Sequence, residues 1–187
     1  MLGPIRPIRV VGLKRKAIAA ISLAVLLTLS SICLGQKGAA GPADFSLRSI
    51  DRQLVTSESL RGEVVVLAFG ASWLQLSRAQ LQGIKKLADQ YAGRGVVVFW
   101  VSTESEDAKS KNYASDEQLR AFGKRYALDL TVLRDPDMVV AKKLGVDELP
   151  SIIILDKKGN PVGEPIKGID PDGNLAGQLA EQLNRIL

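Results

Sequence analysis

Residues 64–78 read Val-Val-Val-Leu-Ala-Phe-Gly-Ala-Ser-Trp-Leu-Gln-Leu-Ser-Arg, an uninterrupted apolar run that stops at Gly70 and gives way to mixed polar and apolar residues. Val64 to Phe69 is short and rich in β-branched residues, which predicts a strand; the absence of alternation predicts that both its faces are covered. Beyond it Leu81, Ile84, Leu87, Ala88 and Tyr91 recur at three- and four-residue spacing. That stripe predicts a helix with one buried side, ending near Gly93. Gly83 falls inside it and should cost about 1 kcal/mol against alanine. The segment is therefore a buried strand that turns directly into a helix.

Two further runs, Val96 to Val101 and Ile152 to Leu155, have the same continuous character. Together the three predict an α/β fold, a central sheet with parallel pairs and helices on either side. Ser115 followed by Gln118 is a capping-box pattern ahead of Leu119, Phe122 and Tyr126, and Asp135-Pro136 supplies an N-cap and a preset first turn for a short helix ending at Leu144-Gly145. Asp170-Pro171 opens a last helix with the stripe Leu175, Leu179, Leu183 and Ile186, for about four helices in all. Asp156 to Asn160 reads as a turn into a short strand around Val162 to Ile166, and Phe45 to Thr56 as an N-terminal β-hairpin turning near Ile50-Asp51-Arg52. Trp100 reads as core packing, and the charged stretch Thr103 to Asn112 as a solvated loop.

Composition removes much chemistry. The 187 residues include no histidine and one cysteine. Ser/His/Asp and Cys/His catalysis, imidazole-ligated metals, C-x-x-C redox pairs and internal disulfides are all excluded. Glu104, Glu106 and Asp107 match no metal-ligand spacing, and Gly159 and Gly163 flank a hairpin rather than cradle a phosphate, so no metal and no cofactor is expected. The net charge of +5 is localised: Arg6, Arg9, Lys14, Arg15 and Lys16 are the only charges among residues 1–35, and the remainder is neutral. That distribution speaks against nucleic-acid binding.

Those basic residues precede Ala17 to Leu34, 18 residues without a charge, the pattern of an export signal or membrane anchor. As a helix the run spans about 27 Å, so its length alone does not separate a cleaved signal peptide from an uncleaved span. Cleavage before Gln36 or near Gly38-Ala39-Ala40 and lipidation of Cys33 are the alternatives to a retained anchor. Each places the rest of the chain outside the membrane, periplasmic or at the cell surface. The expected organisation is a leader over 1–35, a linker over 36–42 and one domain over 43–187.

With the elements in this order, Ala68 to Arg78 resembles the active-site junction of exported thioredoxin-like redoxins of the TlpA/ResA and AhpC/TSA type, where a strand runs into W-C-x-x-C-R at a helix N-terminus. Leu149-Pro150-Ser151 resembles the cis-proline loop of those proteins, Asp156 to Asn160 their following strand-turn, and Asp135-Pro136-Asp137 their aspartate-proline turn. The resemblance covers about residues 43–187 and implies a thioredoxin-like fold. Here, however, the junction reads W-L-Q-L-S-R: the attacking cysteine falls on Leu74 and the resolving one on Ser77. Leucine has no nucleophile, and serine without a histidine base does not ionise near neutral pH. The threonine and cysteine of a peroxiredoxin loop are absent as well, and Cys33 lies in the leader.

The resemblance implies a groove lined by the tryptophan and the cis-proline loop, here Trp73, Leu74, Leu76, Leu149 and Pro150. The expectation is a domain without catalytic residues that touches a polypeptide, an exported client or a membrane protein, without exchanging electrons. Two alternatives stand beside it: an extracytoplasmic oxidoreductase or peroxiredoxin-like protein using an unusual site or a partner's cysteine, and a tethered scaffold. Leu74 and Leu76 packed into the core or against the N-terminal hairpin would leave no such groove.

Overall fold

The computed structural model describes residues 41–170 and 173–187; the leader, Cys33, most of the linker and Pro171 lie outside the described residues. Seven strands form one sheet: β1 (Ser46–Ser49), β2 (Leu54–Thr56), β3 (Val64–Gly70), β4 (Val96–Ser102), β5 (Val132–Arg134), β6 (Ser151–Leu155) and β7 (Ile166–Lys167), in the order β2-β1-β5-β4-β3-β6-β7. β3 pairs in parallel with β4, and β4 with β5, while β6 runs antiparallel to β3. β1 and β2 pair antiparallel at the far edge, and β1 also joins β5. The helices are α1 (Gln75–Tyr91), α2 (Asp116–Arg125), α3 (Val139–Lys143) and α4 (Leu175–Ile186).

β3 is buried at every residue because the two faces of the sheet have separate covers. Val64, Val66 and Ala68 point into a cluster with Leu81, Ile84, Leu87 and Tyr91 of α1, Leu119 of α2 and Leu175, Leu179 and Leu183 of α4. Val65, Leu67 and Phe69 point the other way, to Phe45, Leu47, Val140, Ala141 and Val146. The two-residue period of a strand thus survives beneath an unbroken apolar sequence. Trp100 is fully buried in the first cluster, its ring 5.3 Å from that of Phe122.

Several elements differ locally from expectation. The segment after the Asp156 turn makes a bridge at Pro161 and a two-residue β7, because Gly163 takes a positive φ and interrupts the ladder. α4 starts at Leu175, capped by the Asn174 side chain on Gly177 N–H at 3.1 Å, rather than at Asp170-Pro171. Gly83 is not a simple helix penalty: a Cβ there would lie 2.5 Å from Cδ2 and 2.9 Å from Cβ of Leu175, so its bare backbone lets α4 pack closely on α1.

Asp135 acts further along the chain than the sequence suggests. It makes no side-chain bond to the one-turn 3-10 helix of residues 136–138. Its buried carboxylate instead accepts from Val140 N–H at 2.9 Å and Ala141 N–H at 2.7 Å, the first turn of α3. Asp135→Ala leaves both amides without an acceptor. We expect a loss of about 2 kcal/mol in denaturant unfolding, and an unchanged midpoint would show that water replaces the carboxylate.

Candidate functional site at the strand-to-helix junction

Phe69 near the end of β3 and Ser151 at the start of β6 are register partners, so the segment that follows β3 and the loop that precedes β6 emerge at the same end of two neighbouring strands. Residues 71–74 make the turn, with Leu74 N–H donating to Ala71 O at 3.1 Å, and α1 begins at Gln75. Leu74 is the N-cap in extended conformation; it offers no side-chain acceptor, and the first turn contains no acid. The amides and dipole at that end therefore present positive potential where the resemblance places a thiolate. On the other side, the Leu149–Pro150 bond is cis, Ser151 Oγ donates to Glu148 O at 2.7 Å, and Pro150 O accepts from Gly168 N–H at 3.2 Å.

The groove residues divide by exposure. Trp73 is 61 % and Leu76 40 % exposed. Leu74 and Leu149 are half-buried, with Leu149 against the second core cluster, and Pro150 is buried. Ser77, at the resolving-cysteine position, is fully buried and its Oγ accepts from Ala71 N–H at 3.2 Å. The hydroxyl is thus a structural tie that closes the turn.

Beneath the junction, Gln80 Nε2 donates to Phe69 O at 3.3 Å and Ser151 O at 3.1 Å, joining the ends of β3 and β6. A Cβ on Gly70 would meet Ser77 Oγ at 2.8 Å and both Gln80 Oε1 and Trp100 Nε1 at 3.0 Å, so only glycine fits above this polar floor.

Sequence reasoning missed two contributors, Glu104 and Asn112. Glu104 is 1 % exposed and bonds to Ser72; Asn112 Oδ1 accepts from Trp73 Nε1 at 2.6 Å. Both belong to the stretch expected to be a solvated loop. Arg48 ties this stretch to the start of α2, bonding to Glu106 at 2.5 Å and Asp116 at 2.8 Å, and buried Arg134 donates to Ala114 O at 2.8 Å. Burial pushes the Asp116 carboxyl up, but the hydrogen bond and charge of Arg48 outweigh it and hold the group below its ordinary range. The same bonds to Asp116 and Glu106 raise the Arg48 guanidinium above its ordinary value.

Chemically, the arrangement can present an aromatic and an aliphatic side chain beside a positive helix end. It offers no thiol: the described residues contain no cysteine. Among the described residues, no group of three acidic, histidine or cysteine side chains could hold a metal ion.

Residues 38–160 match the AhpC/TSA family. The thioredoxin-like protein YneN of Bacillus subtilis (strain 168) is 32 % identical over 124 residues, covering 66 % of this chain and 68 % of that protein. The thiol-disulfide oxidoreductase ResA of Bacillus thuringiensis subsp. konkukian (strain 97-27) is 25 % identical over 143 residues, 76 % of this chain and 75 % of that one. Among solved structures, a secreted Mycobacterium tuberculosis disulfide oxidoreductase homologous to E. coli DsbE superposes with a TM-score of 0.57 at 21 % identity, covering 74 % of this chain and 96 % of that chain. That likeness is one of fold.

Proposed function

From the premise that this chain belongs to the AhpC/TSA family of thioredoxin-like proteins, yet has leucine and serine where thiol-disulfide oxidoreductases have their cysteines, we propose that it is an exported, redox-inactive interaction module. It binds extended polypeptide through exposed Trp73 and Leu76 with half-buried Leu74 and Leu149 beside them, while Pro150, expected to line the groove, is buried and shapes it from beneath, and it transfers no electrons. The observation that carries this reading is the pairing of a thiol-free junction with outward-facing Trp73 and Leu76. Thiol-disulfide exchange needs an attacking thiolate and a leaving sulfur, and neither atom is present here. Exposed aromatic and aliphatic side chains beside a helix end remain, and such a patch is a contact surface. Export is supported by the basic-then-apolar leader, and the leader is the tether of the domain if it is retained.

Titration of the full chain with an unfolded, thiol-blocked exported polypeptide should shift Trp73 fluorescence saturably. Leu74→Asp places a charge in the contact and should weaken binding by about tenfold or more. A flat titration, or an affinity untouched by Leu74→Asp, would end the proposal. Reductase turnover above a blank by the unmodified chain would favour an oxidoreductase instead. Capture of an assembly partner that persists after the groove is mutated would favour a scaffold.

A further inference from the structure

Glu104 is a buried carboxylate to which, among the described residues, no cation pairs; nearby Arg134 donates to its main-chain carbonyl instead, at 3.3 Å. Its Oε1 accepts from both the backbone N–H of Ser72 at 3.1 Å and the Ser72 hydroxyl at 2.5 Å, and its Oε2 accepts from the Ser102 hydroxyl at 2.8 Å. Its two oxygens thus take three hydrogen bonds, two of them from the residue immediately before Trp73. Eight residues further on, Asn112 accepts from the Trp73 indole and donates to Thr103 O at 3.4 Å. Ser105 N–H donates to Asn112 O at 2.6 Å and Ala114 N–H to Ser105 O at 3.2 Å, closing the loop between the two anchors.

We infer that Glu104 and Asn112 are positioning residues that hold Trp73 from the preceding residue, Ser72, and from its ring, presenting it as a preformed contact side chain. A 61 %-exposed tryptophan without such a grip would exchange rotamers and would have to be immobilised each time a partner docked. The functional consequence rests on the polypeptide-binding reading; the grip itself does not.

The test is the backbone-like order of one indole N–H in the isotopically labelled full chain, with the Trp73 signal assigned by its loss in Trp73→Phe. In the wild type its order parameter should approach the rigid value of about 0.85, and in Glu104→Gln, whose amide keeps a single acceptor oxygen, and in Asn112→Ala it should fall below about 0.6. Asn112→Asp keeps the acceptor and should keep the order. Ser72→Ala, which removes only the hydroxyl bond, should move the signal in the same direction by less, and it serves if Glu104→Gln does not fold.

Polypeptide affinity should weaken by about three- to tenfold in Glu104→Gln and Asn112→Ala. A mobile indole in the wild type, or an unchanged one in any of these three loosening variants, overturns the inference. A wild-type chain that shows the pattern but binds no polypeptide retires the binding reading and leaves the grip standing. Binding with ring order untouched by the variants does the reverse.

Discussion

Leu74→Cys combined with Ser77→Cys, made in a chain whose Cys33 is changed to serine, is expected to create a disulfide between the two positions that dithiothreitol reduces, while either single substitution lacks the second sulfur. The two positions are the N-cap and the third residue of α1, a three-residue separation that falls in the Cα range a disulfide accepts. Position 77 is fully buried and position 74 half-buried, so the thiol at 74 is the one a reductant or substrate reaches. The helix end has no capping side chain and no first-turn acid, which lowers the pKa of a thiol placed there and raises its thiolate fraction. The double variant should therefore also reduce disulfides in a turnover assay in which the parent gives only the blank. Intact-mass analysis reads the result as the loss of two hydrogens on mild oxidation. Two free thiols after that treatment would mean that the turn from Gly70 to Gln75 differs from the one described.

Gly83→Val is expected to lower stability by about 3 kcal/mol, a fall in melting temperature of roughly 6–12 °C. On helix propensity alone the change would be favourable by a few tenths of a kcal/mol. The contact with Leu175 decides the sign, because even the first added carbon would lie 2.5 Å from Leu175 Cδ2 and α4 would have to move off α1. Leu175→Ala removes the 2.5 Å contact with Cδ2 and leaves the 2.9 Å one with Cβ, so it relieves the clash in part. By itself it should cost about 2–3 kcal/mol, yet combined with Gly83→Val the loss should be at least 1 kcal/mol smaller than the sum of the two. Urea midpoints of the four proteins close the cycle. Strict additivity would show that the side chain of Leu175 is not what opposes a larger residue at position 83.

The parts of the molecule legible in sequence are those specified by neighbouring residues. Continuous β-branched runs define β3, β4 and β6 because both faces of each are covered, and the Ser115–Gln118 capping box begins α2 with both reciprocal bonds present. What eluded sequence depends on partners far along the chain. Glu104 and Asn112 read as part of a wet charged loop, since nothing local shows that they bond to residues 32 and 39 positions away. Gly83 reads as a defect for the same reason: its propensity cost is local and its benefit sits on α4. The candidate site was legible as a position, strand end to helix start, because the motif Trp73 to Arg78 is contiguous; which of its side chains face water was not.

The sheet ends in strands of three residues on one side and two on the other. Such stubs offer few free rungs of backbone hydrogen bonding, so neighbouring molecules find almost no template on which to polymerise into fibres. The sheet is in this way spared from recruiting other chains, or its own copies, along its flanks.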